Sequence, residues 1–76
     1  MKRYTIGQLG RENHGDYSYE EAKARARVLV DDEVTKARRR GHKPVVHKQG
    51  KDSWRITLGP DIQSTIYATV TIHRIA

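Results

Sequence analysis

Residues 18–41 read SYEEAKARARVLVDDEVTKARRRG. Ser18 with Glu21 three residues later is a capping-box sequence: the Ser18 hydroxyl accepts from the Glu21 amide, and the Glu21 carboxylate returns to the amide of Ser18. Apolar positions then recur every three or four residues, at Tyr19, Ala22, Ala26, Leu29, Val30, Val34 and Ala37, while Lys23, Arg27, Asp31 and Arg38 fall on other faces. Gly41 is placed to terminate the pattern. One amphipathic helix from Tyr19 to Arg40 is expected. A single helix has a single apolar stripe, so the rest of the chain must form the layer that covers it.

The flanking segments have the alternation of strands. Lys2 to Ile6 gathers the β-favouring Tyr4, Thr5 and Ile6, with Gly7 read as its stop and Gly7 to Tyr17 as a polar loop. Beyond Pro44, Val45-Val46-His47 leads through a turn at Gln49-Gly50-Lys51-Asp52 into Ser53 to Leu58, where Trp54, Ile56 and Leu58 alternate with Arg55 and Thr57. Gly59-Pro60-Asp61 is turn chemistry. The last strand, within Ser64 to Ile75, sets Ile66, Ala68, Val70 and Ile72 on one side and Tyr67, Thr69, Thr71 and His73 on the other. The expectation is one α+β domain spanning residues 1–76, with two layers in the order strand, helix, three-stranded antiparallel meander. Trp54, Ile56, Leu58, Ile66, Val70 and Ile72 should face the helix, with Trp54 and Leu29 on the seam. Pattern alone leaves open where the first strand joins the sheet. The final strand is long and free of proline. At a sheet edge it would offer its backbone to a second copy, so a homodimer through the C-terminal strand is one expectation.

At 76 residues the core is small, with no Phe and one Trp, and a large apolar ligand cavity does not fit a body of this size. The absence of Cys excludes disulfides, thiolate metal sites and a cysteine nucleophile, and suits a reducing compartment. No apolar run reaches the roughly 20 residues of a membrane span. A soluble, cytoplasmic protein without membrane contact is expected. Gly7, Gly10 and Gly15 match neither the dinucleotide fingerprint nor the P-loop, and Asp16, Glu20 and Glu21 would repel a phosphate at that helix start. His14, His42, His47 and His73 lack metal-ligand spacing. Ser18, Ser53 and Ser64 stand in no nucleophile turn. No enzyme, no cofactor and no metal are expected.

Charge carries the strongest functional signal. Fifteen Lys and Arg against nine Asp and Glu give a formal net charge of +6, which favours anionic partners. No acid occurs between Glu33 and Asp52, whereas Lys36, Arg38, Arg39, Arg40, Lys43, Lys48 and Lys51 all do, with His42 and His47. Two or three cations suffice to offset a helix C-terminal dipole; seven exceed that structural need. These seven with Arg55 form the expected partner-binding or nucleic-acid-binding set, and the expected partner is nucleic acid or a host nucleoprotein complex. The outward sheet face, with Arg55, Tyr67 and His73, is a second, thinner candidate because one Tyr makes a small stacking platform.

Two resemblances follow. Ser53-Trp54-Arg55-Ile56-Thr57-Leu58-Gly59 with the strand Val70-Thr71-Ile72-His73-Arg74-Ile75 resembles the terminal sheet of ribosome-dependent RNA-cleaving toxins of the toxin–antitoxin type. That resemblance implies roles for Arg55, His73 and Arg74, although the chain has one helix where those proteins usually have two. In size, layout and polarised charge the chain also resembles small phage-encoded inhibitors of the anti-CRISPR type. This resemblance implies a non-catalytic protein that acts inside an infected bacterial host on a nucleoprotein complex. The inhibitor reading leads; a DNA- or RNA-binding regulator and the RNA-cleaving toxin remain the alternatives.

Overall fold

A computed structural model describes residues 2–76. The capping box at Ser18 forms as expected: the Glu21 amide donates to Ser18 Oγ and the Ser18 amide donates to Glu21 Oε1, both at 3.2 Å. From it runs α1, Tyr19–Arg39, about 30 Å at 1.5 Å per residue. Its buried stripe is Ala22, Ala26, Val30 and Ala37, and these mostly small side chains let the helix lie close to the sheet.

The sheet has five strands: β1, Tyr4–Gln8; β2, His14–Tyr17; β3, Val45–Lys48; β4, Ser53–Thr57; and β5, Ile66–Arg74. Their order is β2-β1-β5-β4-β3, and all pairs are antiparallel. The α+β class and the meander β3-β4-β5 are as expected. The first strand joins on the far side of β5, with Ile6 opposite Ile72 and Thr5 opposite His73. The core consists of Ile6, Trp54, Ile56, Ala68, Val70 and Ile72 from the sheet against Ala22, Ala26 and Val30 from the helix.

Four expectations are corrected. Gly7 does not stop β1; it lies inside the strand opposite Thr71. A Cβ there would sit 2.8 Å from Asn13 Oδ1 and 2.9 Å from His73 Nε2, so glycine marks a close approach rather than a break. The segment to Tyr17, read as all loop, contains β2, whose residues HGDY carry no hydrophobic alternation for a sequence pattern to register. Pairing comes instead from tertiary ties, including the Thr5 hydroxyl donating to the His14 carbonyl at 2.7 Å.

The third correction concerns faces. The β4–β5 register shifts between Ile56 and Thr57, so that Ile56 opposes Ala68 while Thr57 opposes Ile66. Two β5 residues thus face one of β4, as in a bulge, and alternation breaks there. Ile66 shares the outer face with Thr57 and is 41% exposed, whereas Tyr67 packs against the core with its ring 6.4 Å from that of His42. Leu58 falls beyond β4, half-buried, its amide bonded to the Thr65 carbonyl. Fourth, β5 is the central strand with β1 and β4 on either side. As a central strand it is not the sheet edge on which pairing of two copies through the C-terminal strand was expected. No helix among the described residues is long and apolar enough to cross a membrane.

Candidate functional site

The free edges of the sheet are β2 and β3, and the basic run passes along the second. It begins at the end of α1. There the Gly41 amide bonds to the Arg38 carbonyl at 3.0 Å and the His42 amide to the Ala37 carbonyl at 3.1 Å, with Gly41 at φ +83°. This pair of bonds is a Schellman stop. It turns the chain sharply enough that Arg38, Arg39 and Arg40 are all exposed around the last turn. Lys36 is exposed too, but it reaches Glu33 at 3.5 Å, so one of the expected cations is partly engaged within the helix.

From Gly41 the chain passes Lys43, exposed, and enters β3. Lys48 sits at the far end of that strand with its Nζ 5.8 Å above the Trp54 ring. Lys51 lies in the hairpin beyond, its Nζ 5.7 Å from the ring of Tyr19 at the start of α1. Arg39 and Lys51 therefore sit near opposite ends of the helix, roughly 30 Å apart. The run forms a cationic rim along the β3 edge rather than one compact patch, because the chain that carries it is itself an edge strand. Among the described residues the salt bridges are Arg3–Asp16 and Lys36–Glu33, so Arg38, Arg39, Arg40, Lys43, Lys48 and Lys51 enter none.

Arg55 does not join them. It points to the outer face beside His47, where its NH1 donates to the Ile62 carbonyl at 3.2 Å and its Nε is buried without a partner. Two further cations on α1, not among the eight expected, extend the rim. Lys23 Nζ lies 5.5 Å from the Tyr19 ring, the ring that Lys51 also approaches. Arg27 lines a groove of about 240 Å³ with Val30, Asp31, Val46 and Trp54, between α1 and β3. Their spacing of four residues on one helix face was the signal available in the sequence.

The hairpin is pinned to the helix start by the Tyr19 hydroxyl, which donates to Asp52 Oδ1 at 2.5 Å. That bond to a carboxylate, with burial second, pushes the Tyr19 phenol up to about 12. The hydrogen bonds of the capping box hold Glu21 below the usual carboxylate range.

The outer sheet face is largely occupied with itself. Ser53 and Thr71 hydroxyls lie 3.0 Å apart, and the Thr57 hydroxyl donates to the Gly59 carbonyl at 2.7 Å. Having given its only proton there, Thr57 Oγ1 accepts from His47 Nε2 at 2.9 Å, which assigns that ring's proton to Nε2. With Tyr67 turned away, the face loses its expected stacking ring. His73 and Arg74 are adjacent on one strand and point to opposite faces, and Arg55 opposes Thr69, four residues from His73. The three side chains implied by the toxin resemblance are therefore not brought to one point. Among the described residues no group of three or more His, Asp or Glu is arranged to hold a metal. No protein-family model, no curated protein and no solved structure matches the chain.

Proposed function

We propose that this chain is a non-catalytic binding protein of the small-inhibitor type, which docks its basic rim on an acidic partner, either nucleic acid or an acidic nucleoprotein surface. The observation that carries this reading is the rim itself: six exposed cations along one edge, none in a salt bridge among the described residues. A merely solvated run would intersperse acids, and none occurs between Glu33 and Asp52; self-repulsion within such a row works against the folded state. Phosphate-type contacts demand charge and reach more than fixed geometry, and flexible Lys and Arg on an edge supply both.

The test is a triple variant, Arg38→Glu, Arg39→Glu, Arg40→Glu, which takes the formal net charge from +6 to 0. Partner capture from a host lysate, with and without nuclease, should be lost in the variant while its circular dichroism stays that of the parent. Nuclease-sensitive capture identifies nucleic acid as the contact; nuclease-resistant capture of an assembled complex identifies the inhibitor form of the proposal. A folded variant that captures at parental strength overturns the reading.

A further inference from the structure

Of the two sheet edges, one is closed and one is open. β2 is irregular: its register with β1 shifts between Tyr4 and Ile6, Gly15 stands at φ +87°, and the Arg3 guanidinium holds the Asp16 carbonyl at 2.8 Å and its carboxylate at 2.7 Å. Bulging and a covering charge are the means by which an edge is withdrawn from pairing. β3 has no bulge, and its charge, Lys48 with Lys43 just before the strand, repels a basic strand and admits an acidic one. It pairs with β4 without a register break, Val45 opposite Thr57 through Lys48 opposite Trp54.

The direction of its backbone groups follows from the closing bond of the hairpin. The Gln49 amide donates to the Ser53 carbonyl at 2.8 Å, and in an antiparallel ladder inward and outward groups alternate. Gln49, His47 and Val45 therefore bond to β4, while the amides and carbonyls of Val46 and Lys48 point away from the sheet. Both residues are exposed, Val46 at 42%. Val46 and Lys48 share the helix side of the sheet, so behind this open edge lies the groove of Arg27, Val30, Asp31, Val46 and Trp54.

We propose that β3 is an acceptor edge, on which an extended acidic segment of a partner protein adds as a further strand, bonding to the backbone of Val46 and Lys48. This rests on the reading that the basic rim is the docking surface, and it makes the partner a protein strand rather than nucleic acid. An apolar residue opposite Val46 enters the mouth of the groove. An acid two positions away, on the same face because side chains alternate, meets Lys48. A second copy of this chain is disfavoured as the occupant. Antiparallel pairing of two β3 strands would bring the Lys43 and Lys48 side chains of both copies together, each on a body of formal net charge +6.

The probe is a short labelled peptide in which every second residue is alternately Glu and Val, with Thr between them; a single-stranded oligonucleotide is run beside it. Trp54 is the only tryptophan and lines the groove, so its fluorescence should change on peptide addition. Val46→Pro removes an outward amide without removing a bond of the existing ladder. It should weaken peptide binding at least about ten-fold, the effect of roughly 1.4 kcal/mol, whereas Val46→Ala, which keeps the amide and trims only the groove wall, should weaken it less than Val46→Pro does. Amide exchange in the unmutated protein gives an independent reading: peptide should newly protect Val46 and Lys48, leaving Val45 and His47 as protected as before. Peptide that leaves Trp54 fluorescence and both amides unchanged, or that binds Val46→Pro as well as the parent, overturns the acceptor edge. Oligonucleotide binding that the Arg38, Arg39, Arg40 reversal abolishes would in that case leave the basic-rim reading standing. Loss of neither ligand on that reversal removes the rim reading itself.

Discussion

Gly15 and Gly41 both occupy the left-handed region, at φ +87° and +83°, yet their substitution should have different consequences. At Gly41 no atom lies within 4 Å of an added Cβ, so Gly41→Ala should cost only the backbone term, about 1–2 kcal/mol. At Gly15 the same Cβ would fall 1.9 Å from the Tyr17 ring, and Tyr17 packs against the core. Gly15→Ala should therefore be the more damaging change, seen as the larger fall in melting temperature, where 1 kcal/mol corresponds to roughly 4–8 °C at this size. Tyr19 offers a test by pH. Its phenol is raised to about 12 by the bond to Asp52, so the protonated ring favours the fold. That contribution is complete below about pH 10, the unfolded value, and is lost as pH rises toward 12. Tyr19→Phe should lower stability at neutral pH and flatten its decline through that alkaline window, as followed by denaturant melts. Glu21 runs the other way: its depressed pKa favours the fold above the usual carboxylate range and is lost as acid protonates it.

Among the elements, the seam between α1 and the sheet bears most of the apolar burial, and its members are unequal. Trp54 is 8% exposed beneath the helix, so Trp54→Ala should cost about 3–5 kcal/mol. Leu29, expected on the same seam, is only half-buried at its margin, and Leu29→Ala should cost nearer to about 1 kcal/mol. Thermal melts that overlay for the two variants would show the packing to be misassigned. The helix start is equally specific: Ser18→Ala removes the acceptor for the Glu21 amide and should cost about 0.5–2 kcal/mol. The Leu29 and Ser18 variants change stability without touching the rim, and so separate folding from binding in any assay of the proposed site.

For the whole molecule, charge sets the behaviour. A body of 42 × 21 × 20 Å with six cations along one edge, unpaired among the described residues, carries an asymmetric field, and association with an acidic partner should slow as salt rises, because the screening length falls from about 30 Å at 0.01 M to about 8 Å at 0.15 M. If the partner is nucleic acid, the slope of log affinity against log salt should shrink with each contacting arginine neutralised. With β5 enclosed and β3 lined with lysine, sedimentation should show a monomer at low ionic strength. A dimer there would require an interface other than these strands.

The helix, its cap and stop, and the three-strand meander were legible in the sequence because each is specified by neighbours within a few residues: Ser18 with Glu21, the stripe from Ala22 to Ala37, Gly41, and the alternation of Trp54 and Ile56. The cationic run was legible for the same reason, since it is contiguous. Tertiary structure alone decided what depends on contacts between distant residues. β2 exists because β1 is there to pair with it, Gly7 continues β1 because it pairs with Thr71 where Asn13 and His73 leave no room for a side chain, and Ile66 and Tyr67 exchange faces because two β5 residues oppose one of β4. The same long-range pairing enclosed β5 and left β3 outermost. It thereby spread the basic run along an open edge, joined Arg27 and Lys23 to it, and took Arg55 to the other face.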